Sequence, residues 1–99
     1  MDETISVRIP KEKLKGIELI LEYEKSNKSH LLREVLEKGI KEKRLEIAIG
    51  KFQNNEATAS KAAKIAGIPL TSFLDILHKK DISFHYDVED LREDIQKLV

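Results

Sequence analysis

The chain opens on a strict alternation. In Thr4-Ile5-Ser6-Val7-Arg8-Ile9 every second position is apolar, and Pro10 closes the run. A period of two is the signature of a half-buried strand, so the pattern predicts a strand over 4–9 with Ile5, Val7 and Ile9 on a core and Thr4, Ser6 and Arg8 outward. A single strand leaves backbone N–H and C=O groups unpaired on both edges. Only helical patterns follow it closely, so the expected partner is the same strand of a second copy. A two-stranded ribbon fits the DNA major groove, which makes Thr4, Ser6 and Arg8 candidate base-contacting residues.

From Lys11 the period changes to that of a helix. Leu14, Ile17, Ile20 and Leu21 form one apolar stripe up to about Glu24, while Leu19 and Tyr23 form an i,i+4 pair on the other side. That pair is either partly exposed or in contact with the C-terminal half or a partner chain. Lys25 to His30 is a polar break in which Asn27 is a good N-cap for a second helix, with Leu31, Leu32, Val35, Leu36 and Ile40 as its expected buried face. The start of that helix, with Asn27, Lys28 and Ser29, offers free N–H groups and a positive dipole end to a phosphate. Near Lys41-Glu42-Lys43-Arg44 the apolar stripe loses phase, and Leu45, Ala48, Ile49 and Phe52 define a new face. Either a new helix starts there or one long helix turns different faces to two modules.

After a break at Asn54-Asn55-Glu56, Thr58 caps a short helix with small Ala62, Ala63 and Ala66. Gly67 supplies a turn and Pro69 opens a further helix with Leu70, Phe73, Leu74, Ile76 and Leu77 inward. This is a helix-turn-helix pattern whose outward face carries Thr71, Ser72, Asp75, His78 and Lys79. It reads either as a DNA-binding face or as a compact helical packing module, and Asp75 opposes a polyanion. Beyond it, Ile82, Phe84 and Tyr86 alternate with Ser83, His85 and Asp87. A helix from about Val88 then carries Leu91, Ile95 and Leu98 at i, i+4 and i+7. Ile82, Phe84, Tyr86, Leu91 and Ile95 are therefore candidate anchors for a protein partner, or else fold back on their own core.

Composition narrows the classes. Of 99 residues 36% are charged and 40% apolar, as in a helical protein without a membrane span. The absence of cysteine removes disulfides and thiolate chemistry and leads to the expectation of a cytoplasmic location. The zero net charge is unevenly spread: residues 1–44 carry 11 basic and 9 acidic side chains, residues 45–80 carry 5 and 3, and residues 81–99 carry 2 and 6. Basic segments before an acidic end suggest nucleic acid at one end and a different partner at the other. There is no Gly-rich phosphate loop, nucleophile elbow or HExxH. His78, Asp81, His85 and Asp87 have no metal-ligand spacing. No enzyme activity, metal or cofactor is expected.

Two resemblances sharpen this. TISVRIP followed by KSNKSHLLREVLEKGI resembles the ribbon-helix-helix family of dimeric DNA-binding repressors, over residues 3–41. The resemblance implies base contacts from Thr4, Ser6 and Arg8 and a phosphate clamp at Asn27, Lys28 and Ser29, with Asn27 where that family often has Ser. Residues 45–95, through KAAKIAG, FLDILHKKDI and YDVEDLREDI, resemble a family of small prokaryotic proteins described as predicted helix-turn-helix antitoxins. In that family Gly commonly stands where this chain has Asp81, and Ser where it has Pro69. Its members are usually predicted to pair with a PIN-domain ribonuclease toxin.

The expectation is therefore a mostly α protein. A ribbon-helix-helix dimerisation and DNA-binding domain occupies 1–43, and a helix-turn-helix module with an acidic C-terminal segment occupies 44–99. Its expected partners are operator duplex DNA, a second copy and a ribonuclease toxin. The function implied is an antitoxin that represses its own operon; the alternatives are a transcriptional regulator without a toxin and an adaptor with no DNA role. The helix-turn-helix face to test is Thr71, Ser72, His78 and Lys79.

Overall fold

The computed structural model describes residues 2–83. Among these residues there are four helices: α1 (Lys11–Glu24), α2 (Lys28–Gln53), α3 (Ala59–Ala66) and α4 (Leu70–Lys79). Among the described residues there is no strand, so the expected N-terminal β-ribbon is corrected: the architecture is all helical. Residues 2–10 lack regular structure, and Ile5 and Val7 are 84% and 75% exposed instead of facing a core. The physical reason is plain. Alternation decides which side chains share a face, but it supplies none of the inter-strand hydrogen bonds that make a strand. No described element offers residues 4–9 an edge.

The chain divides into two compact units, Met1–Glu37 and Lys38–Val99. In the first, Pro10 sets the entry to α1 with φ −64°, and its carbonyl accepts from Lys13 N and Leu14 N at 3.0 and 3.3 Å. Lys25 ends the helix in the left-handed region, φ 51°, its N–H donating to the Leu21 carbonyl at 3.0 Å. Asn27 then caps α2: its Oδ1 accepts from His30 N at 2.7 Å. Leu14, Ile17 and Leu21 are half-buried, and Leu31 is the only buried residue described in this unit. The expected buried face of α2 is corrected accordingly, since Leu32, Val35 and Leu36 lie exposed, as do Leu19, Ile20 and Tyr23 of α1. Ile40, further along α2 in the second unit, is exposed as well.

The phase change at 41–44 lies inside one continuous helix. Lys, Glu and Arg are good helix formers and nothing there breaks the backbone, so α2 runs 26 residues, about 39 Å at 1.5 Å per residue. It ends where Asn55 turns left-handed, φ 61°. The core of the second unit is made by Phe73 and Leu77, both fully buried, set among Ala48 of α2 and Ala62, Ala63 and Ala66 of α3. Leu45, Ile49, Phe52, Ile65, Leu70 and Leu74 close around it. Phe52 meets Phe73 edge to face, centroids 5.9 Å apart at 89°, a favoured aromatic geometry. Ile76, expected on the inner face, is only half-buried.

Phe73→Ala should therefore cost about 3–5 kcal/mol of unfolding free energy, the range for a buried aromatic truncated in place. Thr58→Ala should cost only about 1 kcal/mol, as for one lost N-cap. Urea denaturation followed by circular dichroism measures both.

Candidate functional site

The helix-turn-helix is built from short-range signals. Thr58 Oγ1 accepts from Lys61 N at 3.1 Å and starts α3. Three alanines on one side of α3 let the backbone of α4 come close, so the pair buries Phe73 and Leu77 in little space. Gly67 stops α3 at φ 73°; its N–H donates to the Lys64 carbonyl at 3.0 Å, and Ile68 N to the Ala63 carbonyl at 3.1 Å. Three residues on, α4 begins, with Phe73 N donating to the Pro69 carbonyl at 3.0 Å.

Arg44 completes the turn from α2. Its Nε donates to the Ile65 carbonyl at 2.8 Å and its Nη2 to the Lys64 carbonyl at 3.3 Å. A cation thus sits on the carbonyl, negative end of α3, where both the orphan acceptors and the helix dipole favour it. The guanidinium occupies the space beside Gly67: a Cβ built there would lie 2.7 Å from Arg44 Nη1. Glycine is thus demanded by φ, and any larger residue would also make the Arg44 guanidinium shift. In the sequence Arg44 marks only the place where the apolar stripe loses phase. The signal was its place four residues before Ala48, on the helix face that α3 covers.

The frame leaves one side of α4 in solvent. Thr71, Ser72, Asp75, His78 and Lys79 are all exposed, with Lys80 just beyond and Lys61 and Lys64 exposed on α3. Lys79 Nζ and Asp75 Oδ2 pair at 3.0 Å, so one carboxylate is already neutralised locally. Hydroxyls, an imidazole and ammonium groups on a helix face suit hydrogen bonding to bases and phosphates. The expected N-terminal readers are placed differently: Thr4, Ser6 and Arg8 are exposed in the irregular segment, with no sheet to align them. Asn27 is engaged as a cap, while Lys28 and Ser29 are exposed in a first turn of α2 that holds no acidic residue.

Comparison with known proteins bears on the chain as a whole. A family model described as an uncharacterised protein family, UPF0175, matches residues 1–99. The chain belongs to the UPF0175 family. One family thus spans both parts, and the fusion of a ribbon-helix-helix domain to a second family is not shown. The UPF0175 protein ssl1255 of Synechocystis sp. is 40% identical over 53 residues, covering 54% of this chain and 60% of that protein. A UPF0175 protein of Aeropyrum pernix is 36% identical over 53 residues, with the same coverage. The chain thus spans about 60% of the length of the curated relatives it matches. No solved structure matches it.

The end of α4 gives this UPF0175 chain a further particular. Asp81 turns left-handed, φ 57°, and Ile82 N donates to the Leu77 carbonyl at 2.9 Å, folding Ile82 half-buried onto the module's own core. Asp tolerates that conformation better than most residues, but Gly tolerates it without cost. Ile82 is therefore engaged at home, whereas Phe84, Tyr86, Leu91 and Ile95 lie outside the described residues. The described residues contain no group of three metal-capable side chains, and no helix among them is long and apolar enough to cross a membrane.

Gly67→Ala should destabilise the protein by about 1–2 kcal/mol, the order of the left-handed penalty. In the Arg44→Ala background the same change should cost measurably less, because the steric part is gone; a double-mutant cycle in urea reads the coupling. Asp81→Gly should stabilise by up to about 1 kcal/mol.

Proposed function

We propose that this UPF0175 chain is a DNA-binding antitoxin that represses its own genes through the α3–α4 helix pair and restrains a ribonuclease toxin through its C-terminal part. The observation that carries the DNA half is the solvent-facing side of α4, held by a turn that Gly67 and Arg44 fix from two directions. Thr71 and Ser72 lie at the start of α4, the end that a recognition helix directs at base edges. His78 and Lys79, in its last turn, suit phosphate. In this reading the chain binds and does no chemistry on its partner. The toxin half rests on the resemblance of residues 45–95 to predicted antitoxins and on the apolar positions Phe84, Tyr86, Leu91 and Ile95.

A second reading, a transcriptional regulator without a toxin, has one observation in its favour. Ile82, one of the five candidate anchors, is committed to the module's own core.

Fluorescence anisotropy with a duplex from the chain's own promoter, titrated across salt, tests the DNA half. Lys79→Ala should weaken every duplex alike and lower the salt slope by about 1, whereas Ser72→Ala should cost about 1–3 kcal/mol on the preferred site alone. Asp75→Asn should tighten binding by removing a negative charge and releasing Lys79. No binding at low salt, or wild-type affinity in all three variants, would remove α4 as the reader. Deletion of residues 84–99, which spares Ile82, should abolish inhibition of the cognate nuclease while leaving duplex affinity unchanged; retained inhibition would favour the second reading.

A further inference from the structure

The first unit has an apolar surface out of proportion to its size. It spans 37 residues and buries one described residue, Leu31. Units below about 40 residues are usually held by a disulfide, a metal or another chain. The chain has no cysteine, and the described residues contain no metal-capable cluster. Meanwhile Leu19, Ile20 and Tyr23 of α1 and Leu32, Val35 and Leu36 of α2 are exposed, Tyr23 by 80% and Leu36 by 62%. Apolar side chains so concentrated along two short helical stretches mark an interaction surface more than a solvated one.

The charges say what kind of partner fits. Beyond Glu12 in its first turn, α1 carries Lys11, Lys13 and Lys15 in its first half and Glu18, Glu22 and Glu24 in its second, with no basic residue in its last turn. Glu12 apart, that order runs against the helix dipole, which favours acid at the start and base at the end. No ion pair within the described chain uses these six residues. A polyanion would be repelled by the acidic half. A second copy turned end for end brings acid to base at both ends at once, as a two-fold contact does.

We propose that a second copy of this chain, related by a two-fold axis, covers the apolar faces of α1 and the start of α2. The interface is helical and belongs to the first unit. It requires no pairing of residues 4–9, and it stands or falls independently of whether α4 binds DNA.

Sedimentation velocity of the full chain at micromolar concentration tests this. The wild type should sediment as a dimer, twice the 11.4 kDa chain. Leu36→Lys and Tyr23→Lys should each weaken the dimer at least tenfold, while Leu36→Met should keep it. Ile47→Lys, at a similarly exposed position of α2 in the second unit, should keep it too. Circular dichroism of the second unit's thermal transition checks that each variant retains that core. A monomeric wild type would overturn the proposal, as would a dimer that survives both Leu36→Lys and Tyr23→Lys or one that is lost in Ile47→Lys. So would a wild type that stays monomeric yet captures its cognate nuclease through Leu36.

Discussion

The second unit depends on how closely the backbones of α3 and α4 approach around two large side chains, with Ala48 of α2 packed against them. Ala48, Ala62, Ala63 and Ala66 contribute almost no volume, so the space between α2, α3 and α4 is filled by Phe73 and Leu77. Helices of 8 and 10 residues are too short to persist in water unaided. Their existence is a consequence of that packing, with local capping as a smaller aid. Any loss at Phe73 is therefore a loss of α3 and α4 as elements, and with them the surface that α4 presents.

That dependence links packing to the proposed function. A helix can present Thr71, Ser72, His78 and Lys79 in fixed register only if its roll and its angle to α3 are fixed. Burial of Phe73 and Leu77 fixes the roll. The Gly67 turn and Arg44, reaching from α2 to the carbonyl end of α3, fix the angle. The first unit is organised on the opposite principle. Asn27 caps the start of α2, yet among the described residues Leu31 alone of this unit is buried, and Leu19, Ile20, Tyr23, Leu32, Val35 and Leu36 lie exposed.

Legibility in the sequence followed the range of the interaction. Features set by one to four neighbouring residues were readable: the span of α1, the caps at Asn27 and Thr58, the left-handed Gly67, and the inward Phe73 and Leu77. Each depends on local stereochemistry or on the 3.6-residue period. Features that depend on a distant partner were not readable. The alternation at 4–9 carried no information on whether an edge exists to pair with. The phase shift at 41–44 read equally as a break or as a change of covered face. Arg44 bonds to carbonyls 20 and 21 residues on, a relation no local pattern encodes. Asp81 was legible only as a departure from a family's Gly, and its positive φ supplies the reason that Gly suits the position.

The central claim is that the outward side of α4 contacts duplex DNA, and amide shift mapping by NMR addresses it residue by residue. Titration of the full chain with its promoter duplex should move the amides of Thr71, Ser72, His78 and Lys79, with the shifts shrinking as salt rises. Amides on α4 that stay unmoved at saturating duplex, while residues elsewhere shift, would contradict the account.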